Sequence, residues 1–111
     1  MRETFWWTGT ANHLWRSYFA ILQSGQMNTD ASRKTFNVCD AAYSRFTERD
    51  QAIIKAYYTS KPRDTVYAVE DFSARTGISV STIYSTIRRA GYAVMNELGL
   101  IDPERRRELG G

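Results

Sequence analysis

Cysteine and histidine are nearly absent from this chain of 111 residues, and their scarcity excludes several kinds of protein. Cys39 is the only cysteine, so the chain cannot form an internal disulfide, which fits a reducing compartment. His13 has no cysteine or second histidine near it, so the spacing of a zinc site is missing. No apolar run approaches the roughly 20 residues of a membrane span, and no signal-peptide pattern is visible. We therefore expect a cytoplasmic protein without metal, cofactor or membrane contact.

The composition indicates a folded domain with a slightly basic surface. Hydrophobic residues make up 42% and aromatic residues 14% of the chain, which is too much for a disordered protein. A length of 111 residues allows one modest core but no large enzyme cleft. A formal charge of +3 permits nucleic-acid binding without requiring it. Neither a phosphate-binding loop nor an acid–base constellation is visible, so we do not expect an enzyme.

Apolar residues recur at helical spacing throughout, which predicts an all-α fold of about five helices. Residues 1–45 form an aromatic-rich helical segment, residues 46–99 a helix-turn-helix region, and residues 100–111 a short basic helix. The predicted helices cover Thr10–Gln23, Asp30–Arg45, residues 47–59, a short stretch before Gly77, residues 79–98, and a last turn or two after Pro103. Thr47 is the expected N-cap of the third helix, with Asp50 as a weaker capping-box partner.

Large aromatic side chains crowd the N-terminal segment, and two interpretations stay open for them. They form the core against later helices, or some of them form a partner or self-association surface. Phe19 falls off the main apolar stripe of the first predicted helix. On the second interpretation the chain is a homodimer, because a lone helix-turn-helix reads few base pairs and twofold pairing doubles the contact. The candidate surface residues are Trp6, Trp7, Trp15 and Phe19.

Cys39 shares a helical stripe with aromatic residues of the second predicted helix. Phe36, Tyr43 and Phe46 recur with it at spacings of three and four residues. A free cysteine in such a stripe behaves as a small apolar residue, so we expect Cys39 to be buried and chemically inert.

Residues 66–98 carry the pattern of two helices joined by a tight turn. Gly77 stands where the chain must adopt a positive φ, and Ser79 stands where an N-cap belongs. In the helix 79–98, the residues Ile83, Ile87, Ala90 and Val94 form an inward stripe. The opposite face has no acidic residue before Glu97, which favours DNA contact over an ordinary polar surface. That face carries Ser81, Thr82, Tyr84, Ser85, Arg88, Arg89 and Tyr92.

The stretch FTERDQAIIKAYY, followed by VEDFSARTGISVSTIYSTIRRAGYAVMNEL, resembles region 4 of bacterial sigma factors, the helix-turn-helix that reads the promoter −35 element. The likeness runs from Phe46 to Leu98 and is most specific in TGISVSTIYSTIRRA. Three features depart from the family: the Tyr58–Asp71 connection is longer, Gly91 interrupts a helix that is normally well formed, and only 45 residues precede the match. The chain therefore does not resemble a complete sigma factor.

The overall layout is similar to phage late-transcription regulators of the RinA and ArpU types. The resemblance implies a sequence-specific, double-stranded-DNA-binding transcription regulator of phage or prophage origin, with RNA polymerase as a possible partner. It assigns Ser81, Thr82, Tyr84, Ser85 and Arg88 to the major groove, Arg89 to a phosphate, and Ser79 to the start of the reading helix.

Two functions of other classes remain open. A small terminase-like subunit for DNA packaging would form a larger ring with weak sequence preference. A protein-interaction module would contact RNA polymerase or a sigma or anti-sigma partner without binding DNA. Near the C-terminus, Arg105, Arg106 and Arg107 form either a solvated, partly self-paired face or an auxiliary phosphate contact.

Overall fold

A computed structural model describes residues 7–100, and these residues form a bundle of five α-helices. The helices are α1 (Thr8–Ser24), α2 (Asp30–Tyr43), α3 (Glu48–Thr59), α4 (Thr65–Thr76) and α5 (Val80–Glu97), with a short 3-10 helix at Pro62–Asp64 before α4. The predicted all-α fold is confirmed, and residues 7–100 contain no β-strand. None of the described helices is long and apolar enough to cross a bilayer. The short helix predicted after Pro103 lies outside the described residues.

Hydroxyl side chains cap the N-termini of three helices. Thr29, Thr47 and Ser79 each accept a hydrogen bond from the backbone N–H three residues later, at 3.0–3.2 Å. Each cap satisfies one of the amides that the first helical turn leaves unpaired. At the other end, Gly99 and Leu100 donate to the carbonyls of Asn96 and Met95, which is the Schellman arrangement that ends α5.

Trp15 lies at the centre of one hydrophobic core that draws residues from all five helices. Its ring is fully buried and stacks on Tyr58 at a centroid distance of 6.1 Å. Its indole N–H donates to the carbonyl oxygen of Ala90 at 3.0 Å, which ties α1 to the middle of α5. A buried indole N–H needs such a partner, so this bond fixes the orientation of the ring.

Trp7, Trp15 and Phe19 therefore belong to the core and do not form the partner or dimer surface predicted for them. Trp7, Trp15 and Phe19 expose 7%, 0% and 3% of their surface. Phe19 is buried although it lies off the main stripe, because Tyr43 of α2 meets its ring edge at 5.7 Å. Trp6 lies outside the described residues. Within residues 7–100 these side chains offer no exposed patch on which a homodimer could form.

Cys39 is buried on α2, as the sequence predicts. Its thiol points at the carbonyl oxygen of Leu14 with an S···O distance of 3.5 Å. Burial raises the pKa of the Cys39 thiol to about 12, so it stays protonated and unreactive near neutral pH.

Gly91 does not interrupt α5, which contradicts the expectation drawn from the family pattern. The helix runs through Gly91, whose backbone is buried. A Cβ atom at this position would lie 2.8 Å from Cζ3 of Trp7 and 3.5 Å from Cβ of Ala11. A larger residue here would therefore require the Trp7 ring, at the start of α1, to move away from α5.

Candidate nucleic-acid interface

A three-residue turn, Gly77 to Ser79, joins α4 to α5 and presents the first turns of α5 to solvent. Gly77 has φ of 78° and donates its N–H to the carbonyl of Ser73, which closes α4. Thr76 accepts the N–H of Ile78 through its hydroxyl, at 3.2 Å. These two bonds satisfy the first two backbone N–H groups of the turn between α4 and α5.

Ser81, Ser85 and Arg88 form an exposed row along the first half of α5. Their spacing of four and three residues puts them on one side of the helix. Among residues 7–100, Arg88 forms no ion pair or hydrogen bond, so its guanidinium is available to a ligand. Small hydroxyls beside an arginine offer both donors and acceptors to base edges and phosphates.

Three other predicted contact residues are partly occupied by the fold. Ser79 is exposed, but its hydroxyl caps α5 and donates to the hydroxyl of Thr82 at 2.9 Å. Thr82 is half-buried. Tyr84 is also half-buried and packs against the hydrophobic core. These side chains flank the exposed row and help to hold it, rather than projecting fully into solvent.

Arg89 faces a carboxylate, contrary to the expectation that none lies near this surface. Its Nη2 donates to Oδ2 of Asp50 at 3.2 Å and to the hydroxyl of Thr86 at 3.1 Å. The guanidinium also lies 6.0 Å above the ring of Phe46. Asp50 is 39 residues away in the chain, so only the tertiary fold reveals the pair.

Asp50 does not close a capping box, because its side chain turns towards the arginines instead. Its carboxylate is buried, with 6% of the side chain exposed, and Oδ1 accepts from Nε and Nη2 of Arg49 at 3.1 Å. Sequence reasoning missed Arg49 and Asp50 as part of this surface. The only local signal was an acidic residue three positions after the cap, and that signal was interpreted as a capping interaction.

The exposed face of α5 ends near Arg89, because α1 covers the rest. Tyr92 was predicted to continue the outer face, but it is half-buried and meets the ring of Trp7 edge-on at 6.4 Å. Further along, Glu97 pairs with Arg45, which lies two residues after the end of α2. Within residues 7–100, the part of α5 that could meet DNA is therefore Val80–Arg89, with the start of α3 beside it.

The charges on this surface suit the binding of an anion. The surface combines three arginines with one buried carboxylate, namely Arg49, Arg88, Arg89 and Asp50. Within residues 7–100, no group of three histidine, cysteine or acidic side chains could hold a metal ion. No protein-family model, curated protein or solved structure matches the chain.

Proposed function

We propose that this protein is a sequence-specific double-stranded-DNA-binding transcription regulator that places the first half of α5 in the major groove. Its origin would be phage or prophage, and its site of action the cytoplasm. On this proposal α4, the turn at Gly77 and α5 form a helix-turn-helix, with α3 as the supporting third helix. The proposal assigns no catalytic role.

The observation that carries the proposal is the exposed row Ser81, Ser85 and Arg88 at the capped start of α5. A major groove about 12 Å wide admits one helix, and residues near its N-terminus contact base edges. Arginine can donate two hydrogen bonds to one guanine, and serine can bond to either base edges or phosphates. The same half of α5 carries no acidic side chain that would repel phosphates.

Selection of bound duplexes from a random pool tests the proposal, followed by binding titrations with the recovered sequence. Arg88→Ala should weaken binding to that sequence by roughly 1–3 kcal/mol and relax the preference at one base pair. Lys34→Ala is the matched control, because it removes one exposed positive charge from α2, a helix that contributes no residue to this surface. Recovery of no enriched sequence, together with equal binding of both variants, would sink the proposal.

A protein-interaction module is the second candidate, and two exposed apolar side chains on α4 favour it. Val66 and Tyr67 expose 60% and 72% of their surface. Neighbouring apolar side chains of this kind often mark a protein contact, for example with RNA polymerase. If the parent binds no duplex but binds purified RNA polymerase, and a Val66→Ser, Tyr67→Ser variant does not, the interaction module replaces the DNA-binding proposal.

A further inference from the structure

Arg49, Asp50 and Arg89 form a cluster beside the exposed row, and we refer to these three residues as the arginine clamp. Each carboxylate oxygen of Asp50 accepts from a different arginine, Oδ1 from Arg49 and Oδ2 from Arg89. The two guanidinium groups are thereby held on one carboxylate, one from the first turn of α3 and the other from the middle of α5. Thr86, whose side chain is fully buried, adds a second acceptor for Arg89.

Both arginines keep donors for a ligand. The side chains of Arg49 and Arg89 remain 56% and 45% exposed, although Asp50 between them is buried. A guanidinium has five N–H donors, and the clamp uses only part of each set. Within residues 7–100, Nη1 of Arg49 and both Nε and Nη1 of Arg89 donate to no protein acceptor. The three side chains together carry a net charge of +1.

Fixing the two guanidinium groups in advance favours an oxyanion ligand. A free arginine side chain loses rotamer freedom when it binds, whereas one already held by a carboxylate loses less. Each guanidinium N–H that stays free can donate to a phosphate oxygen, and such bonds are short and strong because both partners are charged. Asp50 lies beneath the arginines and is largely covered, so an approaching anion would meet the cations first.

We propose that the arginine clamp is a binding site for a phosphate oxyanion, and that Asp50 is its positioning residue. Resting on the function proposed above, the bound group is a backbone phosphate next to the base pairs read by Ser85 and Arg88. Arg88 and Arg89 are successive residues and leave the helix about 100° apart. That separation directs Arg88 and the clamp towards different parts of the duplex. The clamp thus adds Arg49, from a helix outside the helix-turn-helix pair, to the DNA contact.

The direction in which Asp50→Asn changes DNA binding distinguishes this proposal from a purely structural ion pair. Asp50→Asn removes a negative charge near the DNA, and simple electrostatics makes binding tighter. If Asp50 positions the arginines, the same change makes binding weaker despite the gain in positive charge. Glu48→Gln is the matched control, since it removes an exposed carboxylate two residues away without touching the clamp.

The experiment measures binding of the parent, Asp50→Asn, Arg49→Ala and Glu48→Gln to selected and scrambled duplexes across a salt series. Arg49→Ala should weaken binding to every duplex by roughly tenfold and make the salt slope shallower by about one. Asp50→Asn should also bind both duplexes more weakly, and Glu48→Gln should bind at least as tightly as the parent. Circular dichroism and stoichiometric titration give the folded, active fraction. If Asp50→Asn does not fold, the result for Arg49→Ala alone shows whether the arginine clamp contacts the DNA.

If Arg49→Ala binds DNA as tightly as the parent does, with the same salt slope, the arginine clamp is not a phosphate site. The proposal also fails if a folded Asp50→Asn binds DNA more tightly than the parent.

A second measurement separates failure of the arginine clamp from failure of the proposed function. Inorganic phosphate is titrated at constant ionic strength while the Nε–Hε signals of Arg49 and Arg89 are followed by NMR. If the parent binds no duplex but these signals shift, and do not shift in Asp50→Asn, the oxyanion site stands and the proposed function fails. Without such shifts in a parent that binds no duplex, both fail.

Discussion

The two halves of α5 have the same helical geometry but opposite surroundings. In the first half, Val80–Arg89, one side packs inward through Ile83 and Ile87 while the other side stays open to solvent. In the second half, Ala90–Glu97, α1 and α2 cover what would have been the outer face. The apolar pattern of α5 continues unchanged along its whole length. The candidate interface is therefore short because neighbouring helices cover the second half, and not because the sequence pattern changes.

The difference shows why α5 can serve both the fold and a ligand. The second half is anchored on three sides, through Trp15 on Ala90, Trp7 on Gly91 and Arg45 on Glu97. A rigid second half holds the first half in place without using its polar side chains. Side chains on a rigid helix meet a partner with less loss of conformational entropy than side chains on a loop.

We expect the largest effect from removing Trp15, which anchors the second half of α5. Trp15→Ala should lower the free energy of unfolding by roughly 3–5 kcal/mol, because a fully buried indole leaves a cavity and its bond to Ala90 is lost. Urea denaturation followed by circular dichroism measures the change. Leu22→Ala is the control, since it shortens a half-exposed side chain of the same helix. Equal stabilities of the two variants would mean that α1 does not support α5.

Alkaline pH should also weaken the packing between α1 and α2. Burial raises the pKa of the Cys39 thiol to about 12, and burial also raises the pKa of Tyr18, which donates to Asp40. The folded state keeps these protons while the unfolded state releases them, so stability is full below about pH 8.5 and falls as pH rises. The thiol alone should contribute a slope of up to about 1.4 kcal/mol per pH unit.

Urea titrations between pH 7.5 and 10.5 measure this slope, and Cys39→Ala is the control. The variant should lose most of the dependence between about pH 8.5 and 9, where an ordinary thiol titrates but an ordinary tyrosine, with a pKa near 10, stays about nine-tenths protonated. An identical pH profile for parent and variant would show that Cys39 ionises freely in the folded state.

Helix ends were predictable because their causes are local. Thr47 and Ser79 cap their helices as the sequence predicts, and Gly77 ends α4 with a positive φ. A cap depends on residues within one turn of the chain, so the local sequence is enough to predict it. The start of α1 was placed two residues late, at Thr10 rather than Thr8, because Trp7 makes no side-chain cap that could mark it.

The covered half of α5 and the arginine clamp were not predictable, because both depend on distant residues. Trp7 lies over Gly91, and Asp50 pairs with Arg89, across 84 and 39 residues of chain. Periodicity identifies the inward stripe of a helix but not what crosses its outer face. The exposed row Ser81, Ser85 and Arg88 was recovered from the pattern, because no other described element covers it.

Arg88 and Arg89 are adjacent in the first half of α5, but we expect them to contribute differently to stability. Arg89→Ala should lower the free energy of unfolding by roughly 1–2 kcal/mol, because the buried carboxylate of Asp50 keeps only Arg49 as a partner. The loss stays below that of a fully buried pair, since Arg89 is 45% exposed. Arg88→Ala should stay within about 0.5 kcal/mol of the parent. Equal urea midpoints for the two variants would argue against a structural role for Arg89.

Gly91 offers the smallest but most selective test, because its expected effect changes sign with the presence of Trp7. In a helix, alanine is favoured over glycine by about 1 kcal/mol. In the parent, however, the new methyl group would lie 2.8 Å from Cζ3 of Trp7, so the ring must move away from α5. Overpacking of this kind costs roughly 1–3 kcal/mol, so Gly91→Ala should destabilise the parent by about 1 kcal/mol.

In a Trp7→Ala background the obstacle is gone, and Gly91→Ala should stabilise the protein by about 1 kcal/mol through helix propensity alone. A double-mutant cycle by urea denaturation therefore gives an interaction energy of about 2 kcal/mol between the two positions. Stabilisation in both backgrounds would mean that Trp7 does not lie over Gly91. The second half of α5 would then be open at this point, and the candidate interface would extend past Arg89 towards Tyr92.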